Sequence, residues 1–139
     1  MAFFLHIKLI KSVLYLKLEG EILSNILIID DEELICWFLQ KELQREGHEV
    51  FVATNGQEGV EKFKIINPQY VITDLKLPDI SGFDVIDKIK NLNPNIKIIA
   101  ITAWKWEEVE RNGFKNSVVG FLEKPLNVSR LKEMLPKPC

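Results

Sequence analysis

Five side chains in this sequence have the types and spacing for chemistry on a phosphoryl group. Asp30 and Asp31 stand together, Asp74 stands alone, and Thr102 and the dipeptide Lys124-Pro125 follow. Each comes just after a short apolar run: 26–29, 70–73, 96–101 and 118–122. Three carboxylates drawn within about 4–6 Å of one another repel by roughly 3–4 kcal/mol per pair at an effective dielectric near 20. Such a cluster keeps a proton or takes a cation. Mg2+ suits it, because that ion accepts carboxylates, a carbonyl and retained waters in octahedral geometry. An ammonium and a hydroxyl opposite the ion complete a clamp for a phosphoryl group, whose transfer is mostly positioning and charge neutralisation. An aspartate can itself be the nucleophile and form an acyl phosphate. Taken singly, each residue has a plainer reading. Asp30 and Asp31 are plausible helix caps, Asp74 and Lys124 plausible loop charges, and Thr102 a plausible strand end.

The elements around them decide between the two readings. From position 25 the chain alternates strand and helix signals. Runs at 26–29, 50–53, 70–73, 96–101 and 118–122 read as strands, and four are almost continuously apolar, as strands covered on both faces are. A helix is expected over 33–46, with Ile35, Phe38, Leu39 and Leu43 on one stripe and Gly47 as its stop. Others are expected over 56–66, before Asn67-Pro68; over 81–91, capped by Ser81; over 107–114, weakly patterned; and over 128–135, before Pro136. This alternation predicts an α/β domain with a five-stranded parallel sheet. Right-handed crossovers then put helices on both faces. In such sheets ligands bind beyond the carboxyl ends of the strands, where the strand order reverses. Acids follow the first and third strands, Thr102 the fourth and Lys124 the fifth, while the second contributes nothing. The second strand is therefore expected at the edge, in a spatial order 2-1-3-4-5. All five side chains then meet in one crevice, and that joint placement outweighs the plainer readings.

Residues 1–24 stand outside this pattern. Leu5, Ile7 and Leu9 alternate with His6 and Lys8, and Leu14, Leu16 and Leu18 with Tyr15, Lys17 and Glu19. Period two reads as two strands turning near Lys11-Ser12, with a disordered leader as the alternative. An exposed apolar ribbon invites pairing, either with a second copy in a homodimer or with its own domain. The longest apolar run there, 1–5, falls far short of the roughly 20 residues of a membrane span and the roughly 7–15 of a signal-peptide core. The 139 residues suffice for one domain. A composition of 47% hydrophobic and 27% charged residues is that of a soluble globular protein. A net charge of -2 with scattered lysines excludes a nucleic-acid footprint. The two cysteines, Cys36 and Cys139, fit neither a metal-spacing pattern nor a disulfide framework, which points to a reducing cytoplasm.

The stretches ILIIDDE, VITDLKLPDISG, IIAITAW and GFLEKP resemble the response-regulator receiver domains of two-component and phosphorelay signalling. The resemblance covers about 25–135 and implies a flavodoxin-like (βα)5 fold. It implies that Asp74 accepts a phosphoryl group from a phosphohistidine of a sensor kinase or phosphotransfer protein. Asp31, Asp74 and the backbone carbonyl of Lys76 would ligate Mg2+ directly, and Asp30 mainly through water. Lys124 would neutralise phosphoryl oxygens, with the Lys124-Pro125 bond cis. Thr102 would swing toward the phosphoryl group and Phe121 rotate into the space released, altering the 100–126 face read by a protein effector. Lys76 and Trp104 would flank the path of an attacking water and set the lifetime of the phosphorylated state. The chain departs from the family in Ser117-Val118 before the fifth strand, in Gly120 within it, and in the Trp- and Glu-rich stretch 104–112. Helix 33–46 also carries more apolar residues than one stripe uses. Leu34 and Trp37 are expected to pack on the helical bundle bearing the donor histidine, and Cys36 to be a packed thiol. Residues 136–139 leave no room for an output module, so the expectation is a single-domain regulator that is not otherwise an enzyme. Two rivals remain. An aspartate-nucleophile phosphatase would need an acid where Lys76 stands, and a pseudo-receiver binding module would not need intact acids.

Overall fold

A computed structural model describes residues 23–111 and 113–137, with the backbone alone at position 115. Its strands are β1 (Asn25–Ile29), β2 (Glu49–Ala53), β3 (Tyr70–Asp74), β4 (Lys97–Thr102) and β5 (Gly120–Glu123). All pair in parallel, in the order β2-β1-β3-β4-β5. Ile and Val dominate the inner strands because branched side chains fill a pleated surface covered on both sides. All of β3 is buried, as is all of β4 beyond Lys97.

The helices are α1 (Glu33–Arg45), α2 (Gly56–Ile66), α3 (Gly82–Leu92), α4 (Trp106–Arg111) and α5 (Val128–Glu133). Strand alternation divides the core into two layers. Ile26, Ile28, Ile72, Ile99 and Ile101 meet Cys36, Leu39 and Leu43 of α1 and Leu131 of α5. Leu27, Ile29, Val71, Ile98 and Ala100 meet Val60 and Phe63 of α2, Val85, Ile86 and Ile89 of α3, and Val109 of α4. Each fully buried aliphatic side chain contributes about 1.5–3 kcal/mol relative to exposure.

Several boundaries differ from the sequence expectation. α4 stops at Arg111 rather than 114, because Gly113 follows with φ 76° and its N–H turns back to the Glu110 carbonyl at 3.0 Å. A 3-10 turn, Lys115–Ser117, then delays β5 to Gly120. Phe38 does not lie on the buried stripe of α1: it is 44% exposed. That stripe is Cys36, Leu39 and Leu43, and Phe38 sits about 100° around the helix from Leu39. At Gly120 a Cβ would collide with Met134 Sδ, so the close approach there is made by a side chain. Cys36 is a packed thiol: it donates to the Asp30 carbonyl at 3.2 Å, and burial pushes it up to about 11. The strands expected over 1–24, with the homodimer read from them, lie outside the described residues except for Leu23 and Ser24. Cys139 lies outside them too. Among the described residues no helix is long and apolar enough to cross a membrane.

Candidate functional site

The ladder continues past the strand ends and sets the site residues in place. Asp30 N–H donates to the Ala53 carbonyl at 3.1 Å, Leu75 N–H to Ile101 at 3.2 Å and Lys124 N–H to Thr102 at 2.7 Å. The loop leaving β3 is pinned twice. Gly82 N–H donates to the Leu75 carbonyl at 2.9 Å, and a Cβ at Gly82 would collide with the Asp74 carbonyl oxygen and Leu75 Cα. Only glycine lets α3 begin this close to Asp74. Farther along, the Asp79 carboxylate accepts from Gly56 and Gln57 N–H, both at 2.8 Å, at the start of α2. Ser81 caps α3 as expected, accepting from Phe83 N–H at 3.2 Å.

Carboxylate oxygens of Asp30, Asp31 and Asp74 lie within 4.8 Å of one another. Asp30 and Asp74 are buried and Asp31 is exposed. Lys124 Nζ lies 2.7 Å from Asp74 Oδ2, 2.8 Å from Glu32 Oε1 and 3.6 Å from Asp30 Oδ2. Asp74 Oδ1 accepts from Lys76 N–H, and Asp30 Oδ1 from Glu32 N–H, each at 2.9 Å. Burial alone would lower the Lys124 ammonium; its bonds to Asp74 and Glu32 outweigh that and hold it well above the usual lysine range. Burial pushes the Asp30 carboxyl up to about 6, against the Glu32 N–H and the Lys124 charge, which favour the ionised form. Asp30 Oδ2 is buried with no hydrogen-bond partner among the described residues. An orphaned carboxylate oxygen beside two further acids is the donor set of a hard divalent cation. The residues present therefore fit Mg2+. The Lys124-Pro125 bond is cis, as expected.

A cleft of about 370 Å3 opens over the acids, with Lys76, Leu77 and Pro78 on one side and Ala103 and Trp104 on the other. Thr102 lines it, fully buried, and its hydroxyl accepts from Trp104 N–H at 3.0 Å. Trp104 stacks on Phe83 (centroids 5.9 Å apart, planes at 11°), and Phe83 packs on Phe114 at 4.5 Å. Phe121 is half-buried against Trp106 at 4.7 Å and does not line the cleft. The structure thus gathers Asp30, Asp31, Asp74 and Lys124 at one point, with Thr102, Lys76 and Trp104 around the cleft and Phe121 outside its lining. Glu32 was not among the expected site residues. It occupies the N-cap position of α1, yet its side chain makes no cap bond and pairs with Lys124 instead. The sequence signal was the third consecutive acid after β1.

Comparison with known proteins identifies the family. The family model of the response regulator receiver domain matches residues 26–136. The chemotaxis protein CheY of Thermotoga maritima is 35% identical over 115 residues, covering 82% of this chain and 96% of CheY. The response regulator TrrA of Thermotoga maritima, solved in complex with Mg2+ and BeF, superposes with a TM-score of 0.71 at 35% identity, covering 79% of this chain and 94% of TrrA. A response regulator of Burkholderia pseudomallei, solved with a phosphorylated aspartic acid and a calcium ion, gives a TM-score of 0.73 at 27% identity over 81% of this chain and 66% of that one. The chain also spans about a quarter of the length of the ZraR transcriptional regulators that it matches. A family match over most of the sequence and a CheY match over most of both chains show that this chain belongs to the response regulator receiver domain family.

Proposed function

We propose that this receiver accepts a phosphoryl group onto Asp74, with Mg2+, from a phosphohistidine of a cytoplasmic sensor kinase or phosphotransfer protein. One observation carries the reading: Asp74 is buried with one oxygen on the Lys76 N–H and the other on the Lys124 ammonium, inside a triad of acids. An Asp74 oxygen attacks phosphorus, the phosphorus–nitrogen bond breaks, and its electron pair leaves with the imidazole. Lys124 follows the charge onto the phosphoryl oxygens. Asp30, Asp31, Asp74 and the Lys76 carbonyl would hold Mg2+, which when bound neutralises charge on the transferring oxygens. TrrA with Mg2+ and BeF, and the Burkholderia protein with its phosphorylated aspartate, support this reading by analogy.

The output follows from what Thr102 and Phe121 now do. Thr102 gives up the Trp104 N–H for the phosphoryl group, and Phe121 leaves Trp106 for the space released. Together they alter the 100–126 face for an effector protein. Trp104, anchored on Phe83, and Lys76 screen the acyl phosphate from water. Leu34, 77% exposed, and Trp37, 57% exposed, offer an apolar face on α1 for the donor's helical bundle. The test is incubation with acetyl phosphate and Mg2+ followed by intact mass. A gain of one phosphoryl group that vanishes in Asp74→Asn supports the proposal. No gain rejects it, and continuous donor turnover makes the chain a phosphatase instead.

A further inference from the structure

Lys124 has two close partners of very different exposure. The Asp74 side chain is 5% exposed and the Glu32 side chain 55%. Both accept from one ammonium, so the two carboxylates lie within about 6 Å of each other. When Lys124 turns to an incoming phosphoryl group it must loosen one of these contacts. Removing the countercharge from buried Asp74 is costly. Releasing Glu32 costs little, because that carboxylate is already in water. Glu32 therefore holds the ammonium at the mouth of the cleft, lining it beside Asp31 and Asp74. Its position is not explained by helix capping, because its carboxylate makes no cap bond.

We propose that Glu32 selects the phosphoryl donor by charge, holding Lys124 at rest and repelling donors whose leaving group carries no positive charge. The inference rests on Asp74 being the phosphoacceptor. An acyl phosphate brings two negative charges to a cluster already rich in carboxylates. A phosphoimidazole brings the same transferred group on a ring that takes a proton near neutral pH, which offsets one of them. Glu32 penalises the first more than the second, which favours histidine-borne phosphate over small acyl phosphates. Glu32 is a positioning and selecting residue; it does not touch phosphorus.

The experiment uses the full chain, wild type and Glu32→Gln, at saturating Mg2+, with acetyl phosphate and with monophosphoimidazole, following phosphoryl gain by intact mass. Glu49→Gln, an exposed acid at the opposite end of the sheet, controls for net charge. Removing one charge at about 6 Å from a dianion is expected to speed the acetyl phosphate reaction about three- to tenfold. The phosphoimidazole reaction should gain by a clearly smaller factor. An unchanged ratio of the two rates, or an equal shift in Glu49→Gln, overturns the proposal. If wild type takes phosphate from neither donor, the Asp74 reading has failed and this inference falls with it. If wild type reacts and Glu32→Gln matches it with both donors, the inference alone has failed.

Discussion

Acidification from pH 7.5 to pH 5 is expected to weaken Mg2+ binding about tenfold through Asp30 alone. Burial has pushed this carboxyl up to about 6. At pH 5 roughly one Asp30 in ten is ionised, whereas at pH 7.5 nearly all are. The ion needs the ionised form, so near pH 6 each ion bound should release about half a proton. The metal-free protein responds in the opposite sense. The folded value lies above the unfolded 3.8, so the fold holds this proton more tightly than the unfolded chain. The resulting stability is full below pH 3.8 and is lost as the pH rises through about 6. Two pK units correspond to roughly 3 kcal/mol. Mg2+ should flatten or reverse that slope, and Asp30→Asn should remove it. Calorimetric titration in two buffers of different ionisation enthalpy reads the proton count, and urea unfolding with and without Mg2+ reads the stability. Flat affinity between pH 5 and 7.5 with no proton release would refute the view that buried Asp30, whose Oδ2 accepts no hydrogen bond among the described residues, governs the site.

Three further outcomes follow from the geometry. Gly82→Ala should destabilise the fold by about 1–3 kcal/mol and slow phosphorylation, because its methyl group strikes the Asp74 carbonyl and Leu75; unchanged urea unfolding would show that Gly82 does not set the position of Asp74. Trp104→Ala should shorten the phosphoryl lifetime severalfold by opening one wall of the cleft, read as loss of the phosphorylated mass after donor removal; an unchanged half-life removes the shielding role. Trp37→Glu should slow transfer from a histidine phosphotransfer domain about tenfold while leaving the acetyl phosphate rate intact. Equal slowing of both reactions, or of neither, would mean that the exposed face of α1 is not the docking surface.

How much of this was legible in the chain varies by element. β3 and β4 declared themselves, because parallel strands buried on both faces read as continuous apolar runs. Ser81 and Asn67 marked their helix ends, the first by accepting from Phe83 N–H and the second by closing α2 in a left-handed conformation with φ 49°. Phe38 misled, because α1 carries six apolar residues in succession and hydrophobicity alone does not choose among neighbouring stripes. The end of α4 and the start of β5 were also blurred, because between them lies the 3-10 turn Lys115–Ser117, closed by the local bond from Ser117 N–H to the Phe114 carbonyl.

For the site, sequence alone indicated the place and most of the cast, and missed Glu32. The order of acids, threonine and lysine after successive strands implies one crevice, since a doubly wound parallel sheet brings those strand ends to the same edge. It also implied a retained proton or a bound cation, since three converging carboxylates repel. Only the tertiary structure decided the partnerships. Which carboxylate oxygen lacks a donor, and so calls for a metal, depends on backbone N–H groups two residues away. That Lys124 is divided between buried Asp74 and exposed Glu32 depends on the distance between β1 and β5 across the sheet. Trp104, which the resemblance placed beside the path of an attacking water, lies in the loop after β4, lines the cleft and stacks on Phe83 of α3. Such contacts join residues remote in sequence, and no local pattern encodes them. The chemistry was written in residue types; its wiring is a property of the fold.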